Sequence, residues 1–447
     1  MMEQDTGGDE MAYVVGLLVL LVGLLASIAL HEVGHMVPAK RFGVRVSQYM
    51  VGFGPTLWSR TKGETEYGLK AIPLGGYVRL VGMYPPADAV GATPGRGRFA
   101  GLVDAAREAS AEEIRPGEEH RAFYRLSTPK KVVVMLGGPM MNLLIAIVLV
   151  GIVFVGIGTS GAPTTTVGVV GTCLLPADAP ADQECTASDP QVPAVLAGLQ
   201  VGDTILSWGG VPIESWAEIQ AAIAATPGTD IPVVVERDGA EVVLTVSPVT
   251  VDRPVRDEDG AVVLNADGSA QLAPQRYVGF SPTSGLERQP VGSVLPAVGD
   301  AVWQTGAIVV TLPARLVDVV QATLGQEERD TSSVVGVVGV GRFAGEIAEA
   351  PGLGLGERVG SMLGLLASLN IALFVFNLIP LLPLDGGHVA GALWEGAKRQ
   401  VARWRGLARP APADVARMMP VAYGVFLLLA VVGLVLIYAD IAAPVTL

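Results

Sequence analysis

Four stretches of this chain are each long and apolar enough to cross a lipid bilayer, and every other feature must be arranged around them. They run roughly from Met11 to Met36, Val132 to Ile157, Val359 to Leu381 and Met418 to Tyr438. Backbone groups inside a bilayer must find partners within the segment, so these stretches are read as helices. Half of the residues are hydrophobic and 16% are charged, the balance of a polytopic membrane protein carrying an extramembrane part. A net charge of −13 argues against nucleic acid as a partner. The leader Met1–Glu10 holds Glu3, Asp5, Asp9 and Glu10 and no basic residue. A cleavable signal needs a positive leader, so the first run is read as a retained span.

Basic residues set the orientation. Fifteen of the thirty Lys and Arg lie between Pro38 and Lys131, only five between Gly158 and Val298, and six between Val389 and Arg417; both tails have none. The first and third connections are therefore expected in the cytosol and both termini outside. The resulting division is a tail and first span (1–37), a cytosolic region (38–131), a second span (132–157), and an outer segment (158–298). An amphipathic helix and linker lying at the outer surface follow (299–358). The third span (359–388), a basic cytosolic segment (389–417) and a fourth span with a short outer tail (418–447) complete the chain.

The first span ends in Ala29-Leu30-His31-Glu32-Val33-Gly34-His35-Met36, an H-E-x-x-H pattern. On a helix, His31 and His35 share one face a turn apart and can bind one metal. Glu32 beside them can take a proton from water. The chain has only four histidines, and ionisable groups at membrane depth are costly and by default functional. His120 sits in a charged stretch and reads as solvated.

The cytosolic region opens with alternating, Gly- and Pro-punctuated sequence over Val46–Pro55 and Thr65–Leu80, which predicts hairpins with bulges. Residues 85–119 read as a flexible or lightly helical insert with no assignable function. In the outer segment, Val195–Ile213 contains A-G-L-x-x-G-D-x-I and resembles the signature of a PDZ domain, expected over about 164–250. Its Gly198, Gly202 and Asp203 are read as turn builders. Cys173 and Cys185 lie twelve residues apart on the expected outside, where a disulfide staple is permitted. Asp257–Gly260 and Asn265–Gly268 lack a full calcium-ligand register and read as hairpin turns.

A catalytic zinc usually has three protein ligands, so a third is needed from another helix. The third span closes on Asn377-Leu-Ile-Pro-Leu-Leu-Pro-Leu-Asp-Gly-Gly-His388. Its two prolines break the helix and make a pocket credible. The charge-derived topology puts this end at the depth of His31 and His35. From spacing, Asp385 is favoured and His388 competes.

With these residues assembled, the chain resembles the site-2 protease family of intramembrane zinc metalloproteases, in its bacterial regulator-of-sigma-E branch. The likeness is carried by the H-E-x-x-H span, Gly52-Phe-Gly-Pro, Pro73-Leu-Gly-Gly-Tyr-Val, Gly138-Pro-Met-Met-Asn142, the PDZ-like insert and N-x-x-P-x-P-x-D-G. It implies one zinc held by His31, His35 and Asp385, with Glu32 as base. It implies substrate or transition-state support from Asn377, Gly75, Gly76, Tyr77 and Asn142, the hairpin pairing with an unwound substrate. Helix 300–324 would gate access. The branch often carries two PDZ modules, whereas one is found here. The expected fold is a polytopic α-helical membrane protein with about four transmembrane helices, N-out and C-out. It carries a membrane-associated β-hairpin region on the cytosolic side and an extracytoplasmic α+β PDZ domain. Expected partners are the lipid bilayer of a bacterial plasma membrane, single-span substrates of anti-sigma factor type, and a site-1-type protease acting first. The rival classes are a membrane-tethered PDZ scaffold, which needs no metal, and a metal transporter, which leaves Glu32 without a role.

Overall fold

All four expected segments are helical in the computed structural model, which describes residues 6–92, 99–176, 185, 186, 188–226, 228, 230–255, 263, 265, 270–323, 334–350 and 353–445. In chain order the elements are α1 (Thr6–Arg41), β1 (Val46–Lys62), β2 (Thr65–Leu80), α2 (Ala87–Val90), α3 (Ala100–Glu112) and α4 (Thr128–Gly151). Then come β3 (Thr159–Val170), α5 (Pro193–Leu196), β4 (Thr204–Trp208), β5 (Val211–Pro212), α6 (Trp216–Ala225), β6 (Ile231–Arg237) and β7 (Ala240–Val246). The last are β8 (Val249–Pro254), β9 (Leu272–Tyr277), β10 (Phe280–Glu287), α7 (Val294–Thr323), α8 (Val337–Glu349), α9 (Leu355–Asn377), α10 (Asp385–Trp404) and α11 (Met419–Ala442).

Five helices among the described residues are long and apolar enough to cross a membrane, one more than expected. The addition is Val291–Gln321, which takes in most of α7. The sequence reading began this element at Asp300 and found its apolar centre short. The helix instead starts at Val294, so Val294-Leu-Pro-Ala-Val joins it. A lone aspartate costs a helix well under about 1 kcal/mol and does not end one. The mean hydropathy of this window is 1.3, the lowest of the five, against 2.1 to 2.8 for the others. The third span is also shorter than expected. α9 stops at Asn377, a turn carrying Pro380 and Pro383 follows, and Asp385 opens the separate helix α10.

The chain divides into two units. The first holds 1–156, 290–349 and 360–447. Within it, α1 and α4 run antiparallel, with Gly34 against Gly137 and His35 against Val134. α1 and α9 run parallel: Gly23 faces Leu366, and Asn370 Nδ2, four residues on, donates to Ser27 Oγ at 2.9 Å. The β1–β2 hairpin curls so that residues 48–51 pair on one side with 66–69 and on the other with 76–79. Residues 76–80 therefore form an edge with β1 on one side and no second strand among the described residues. The Tyr49 hydroxyl donates to the Ala29 carbonyl of α1 at 2.8 Å and ties the hairpin beside His31. Ala39, Val44, Val46, Leu80, Phe123, Val134 and Met135 form the buried cluster beneath it. The 85–119 insert, read as flexible or lightly helical, holds the 13-residue helix α3. Arg107 of α3 pairs with Asp414, and Ser110 bonds both backbone groups of Tyr84.

The second unit holds 157–289 and 350–359. Its sheet runs β10-β3-β4-β6-β7, with β5 on β4, and takes in a strand from beyond residue 250. Val167, Val192, Ile205, Trp208, Ile219, Val233, Val235 and Val246 are among its buried core. Asp203 is buried, with Arg237 donating to both its oxygens at 2.7 Å and the Gln200 amide at 2.8 Å. Burial alone would push this carboxyl up, but the guanidinium and the amide outweigh it and hold it below the usual carboxylate range. Cys173 and Cys185 are bonded. The two acidic turns around residues 257–268 lie outside the described residues, apart from Asn265.

Candidate metal centre

The apolar stretch of α1 continues without interruption into His31-Glu32-Val33-Gly34-His35, so both imidazoles project from one helical face. The α9–α10 turn brings Asp385 to that face. His31 Nε2 and His35 Nε2 are 3.2 Å apart, and Asp385 Oδ2 is 3.3 Å from each. Three donors bound tetrahedrally at about 2.0 Å form a triangle with edges of about 3.3 Å. The chain holds its three donors at that spacing, and Asp385 Oδ2 has no hydrogen-bond donor among the described residues. Two nitrogens and a carboxylate oxygen are the donor set that zinc accepts, so the residues fit the metal. His388, the competing residue, lies outside the cluster and faces the Tyr84 ring at 6.3 Å.

A backbone carbonyl completes the orientation of His35. Its Nδ1 is 2.8 Å from the Val134 carbonyl of α4, so Nδ1–H donates there and Nε2 is left for a metal. The approach of α4 depends on missing side chains. Gly34 and Gly137 put backbone against backbone, and a Cβ on Gly138 would collide with both imidazoles. Small residues at a crossing let membrane helices come this close.

A cavity of about 590 Å³ opens on the cluster. Glu32 lines it together with Asn142, Asn377, Gly75, Gly76 and Tyr77, so every residue singled out in the sequence around the metal pattern meets in one space. Cys173 and Cys185 belong to the other unit. Gly76 packs against the methylenes of Glu32, where a side chain on the strand would press on the carboxylate arm. Asn142 is fully buried, and neither its oxygen nor its nitrogen has a partner among the described residues. The Val134 carbonyl escaped the sequence reading, and Gly138 entered it only as the first residue of the Gly138-Pro-Met-Met-Asn142 motif, with no role of its own. A carbonyl carries no side-chain signal, but the Gly137-Gly138 pair inside an apolar span was a legible mark of close helix packing.

Comparison with known proteins places these residues in context. A family model described as peptidase family M50 matches residues 19–409. The chain is 33% identical over 446 residues to zinc metalloprotease Rip1 of Mycobacterium tuberculosis, covering 98% of this chain and 100% of that one. It is 33% identical to zinc metalloprotease Rip1 of Mycolicibacterium smegmatis over 97% and 99% of the two chains. It is 28% identical to metalloprotease MmpA of Caulobacter vibrioides over 87% and 89%.

Proposed function

Because this chain belongs to peptidase family M50, we propose that it is a zinc-dependent endopeptidase that cuts single-span proteins within the membrane. The observation that carries the reading is the triangle of His31, His35 and Asp385 donors with Glu32 in the same cavity. A zinc held by these three residues would supply a Lewis acid and bring the pKa of a water down to near neutrality. Glu32 takes the proton from the attacking water and returns it to the leaving amine. Asn142 and Asn377 offer amide donors to the carbonyl as it gains charge. A substrate helix keeps its carbonyls in internal hydrogen bonds, so it must unwind before it is cut. The open edge at residues 76–80 supplies replacement backbone partners as it does so.

The topology read from the basic residues gains support from helix direction. α1 and α9 run parallel, which requires an odd number of crossings between them. α4 supplies one. α8, at 13 residues, is about 20 Å long and too short to cross about 30 Å of hydrocarbon. α7 therefore cannot add a second crossing, and in this reading it lies along the surface. Both termini then face outside, and the metal centre lies towards the cytosol.

The second unit is read as PDZ-like. Its cavity of about 500 Å³ between α6 and residues 274–280, lined by Trp216, Ile223, Tyr277 and Phe280, suits an extended peptide. In this reading it admits substrates of anti-sigma factor type only after a site-1-type protease has trimmed them. Removal of residues 164–250 should abolish discrimination between full-length and trimmed substrate. Undiminished discrimination would sink the filter.

The test of the activity is direct. Purified protein should carry zinc and cleave a single-span reporter in detergent. Glu32→Gln should keep the zinc and lose cleavage by at least about 10²–10⁴-fold. Full cleavage by Glu32→Gln would overturn the assignment.

A further inference from the structure

α10 begins at Asp385, and its outer face has no partner among the described residues. At 100° per residue, Ala392, Glu395, Arg399 and Ala402 share one side. That side is fixed to α4: Lys131 Nζ donates to both Glu395 oxygens at 2.9 and 3.1 Å, and Arg399 donates to Glu395 at 2.6 Å. The opposite side carries Leu393, Trp394, Ala397, Val401 and Trp404, all exposed, with Trp394 at 64% and Trp404 at 77%. Its outward face is thus apolar and aromatic, the inverse of a water-facing helix.

Charge selects what covers it. Lys398 and Arg405 flank the stripe, and Arg403 and Arg409 lie nearby. The only carboxylates in the segment 389–417 are Glu395 and Asp414. Glu395 is taken up by Lys131 and Arg399, and Asp414 by Arg107 and Arg417. The charge left facing outward is wholly positive. α10 also sits between two candidate spans, α9 ending at Asn377 and α11 starting at Met419, so both its ends are tethered at the bilayer. An apolar stripe with tryptophans and flanking basic residues is the pattern of a helix lying in an anionic membrane surface.

We propose that α10 seats on anionic phospholipid of the adjoining leaflet, and that this seating holds Asp385 against His31 and His35. The helix is one rigid rod about 30 Å long, so a contact along its outer face fixes the position of its first residue. The second half of the proposal rests on the metalloprotease reading given above, in which Asp385 is a ligand. Lipid composition then becomes a determinant of activity.

The experiment uses the full chain in nanodiscs of phosphatidylcholine, alone or mixed with phosphatidylglycerol. A spin label is attached through Val401→Cys and read for exposure to lipid-soluble oxygen and to an aqueous nickel complex, alongside cleavage of a single-span reporter. Phosphatidylglycerol should shield the label from nickel and raise cleavage, by about five-fold for each basic side chain engaged. Lys398→Gln with Arg405→Gln should erase the gain and leave cleavage in phosphatidylcholine alone unchanged. A label equally open to nickel in both lipids overturns the seating. A shielded label with equal cleavage in both lipids overturns its link to Asp385. Absence of cleavage in either lipid overturns the metalloprotease reading instead, and the label then decides the seating by itself.

Discussion

Asn142 presents a carboxamide that no described residue satisfies, at a site where each unmet buried group costs about 1–3 kcal/mol. A chain tolerates that when the partner arrives with the substrate. Asn142→Leu should therefore leave thermal stability unchanged or raised and zinc content intact, while kcat falls by about a hundred-fold, the usual worth of one oxyanion donor. A lower melting temperature with unchanged turnover would show that Asn142 is structural. At this scale the sequence was informative where chemistry needs a rare side chain in a fixed pattern. His31, Glu32 and His35 were legible because an ionisable cluster at membrane depth has few explanations. Asp385 was legible through charge-derived topology and a proline-broken helix end. The hydrogen bond from His35 to Val134 was not, because any residue at 134 supplies the same carbonyl.

Among the elements, α10 shows how the Asp385 carboxylate is held from behind. The Lys131–Glu395 pair joins it to α4, and Glu395 also accepts from the Ala413 amide at 2.8 Å. Glu395→Ala leaves a buried ammonium without its partner and should cost about 3–5 kcal/mol. The double change Lys131→Met with Glu395→Leu should recover only the part owed to the stranded ammonium, since Arg399 and the Ala413 amide still lose their acceptor. Thermal unfolding of the three proteins in detergent checks both, and a double variant as weak as the single one would overturn the account. α10 itself was not legible as a separate helix, because its segment was read for charge rather than for period. The start of α7 was placed late, at Asp300, although Val294–Val298 belong to the same helix. The pairing of β10 with β3 joins residues more than 100 positions apart and has no local signature.

At the level of the whole molecule the two units differ in what they carry: the first holds the helices of membrane-spanning length, the second a sheet whose buried carboxylate ties it to pH. Asp203 is held below its ordinary range by Arg237. Its contribution to stability is full above the unfolded value of about 3.9 and is lost as pH falls through the lower folded value. Hydrogen exchange of the β4 and β6 amides in the intact chain should therefore accelerate below about pH 4, beyond the intrinsic trend. Asp203→Asn should remove that dependence, and identical acid profiles for the two proteins would refute it. The placing of basic residues offered a topology that remains part of the proposal, and composition made the membrane character legible. How a 31-residue amphipathic stretch lies was not, because length alone permits both orientations.

The halves of the metal centre are separated by about 350 residues of chain. His31 and Glu32 leave the ribosome early, and Asp385 follows only after the second unit has been made. At 5–20 residues per second, that interval is roughly 20–70 s. For that time the nascent chain carries Glu32 and two imidazoles but not the Asp385 carboxylate, so the constellation on which the proposed mechanism rests is incomplete. In the proposed mechanism hydrolytic competence is thus withheld until biosynthesis is nearly complete, and a chain truncated before Asp385 is born inert.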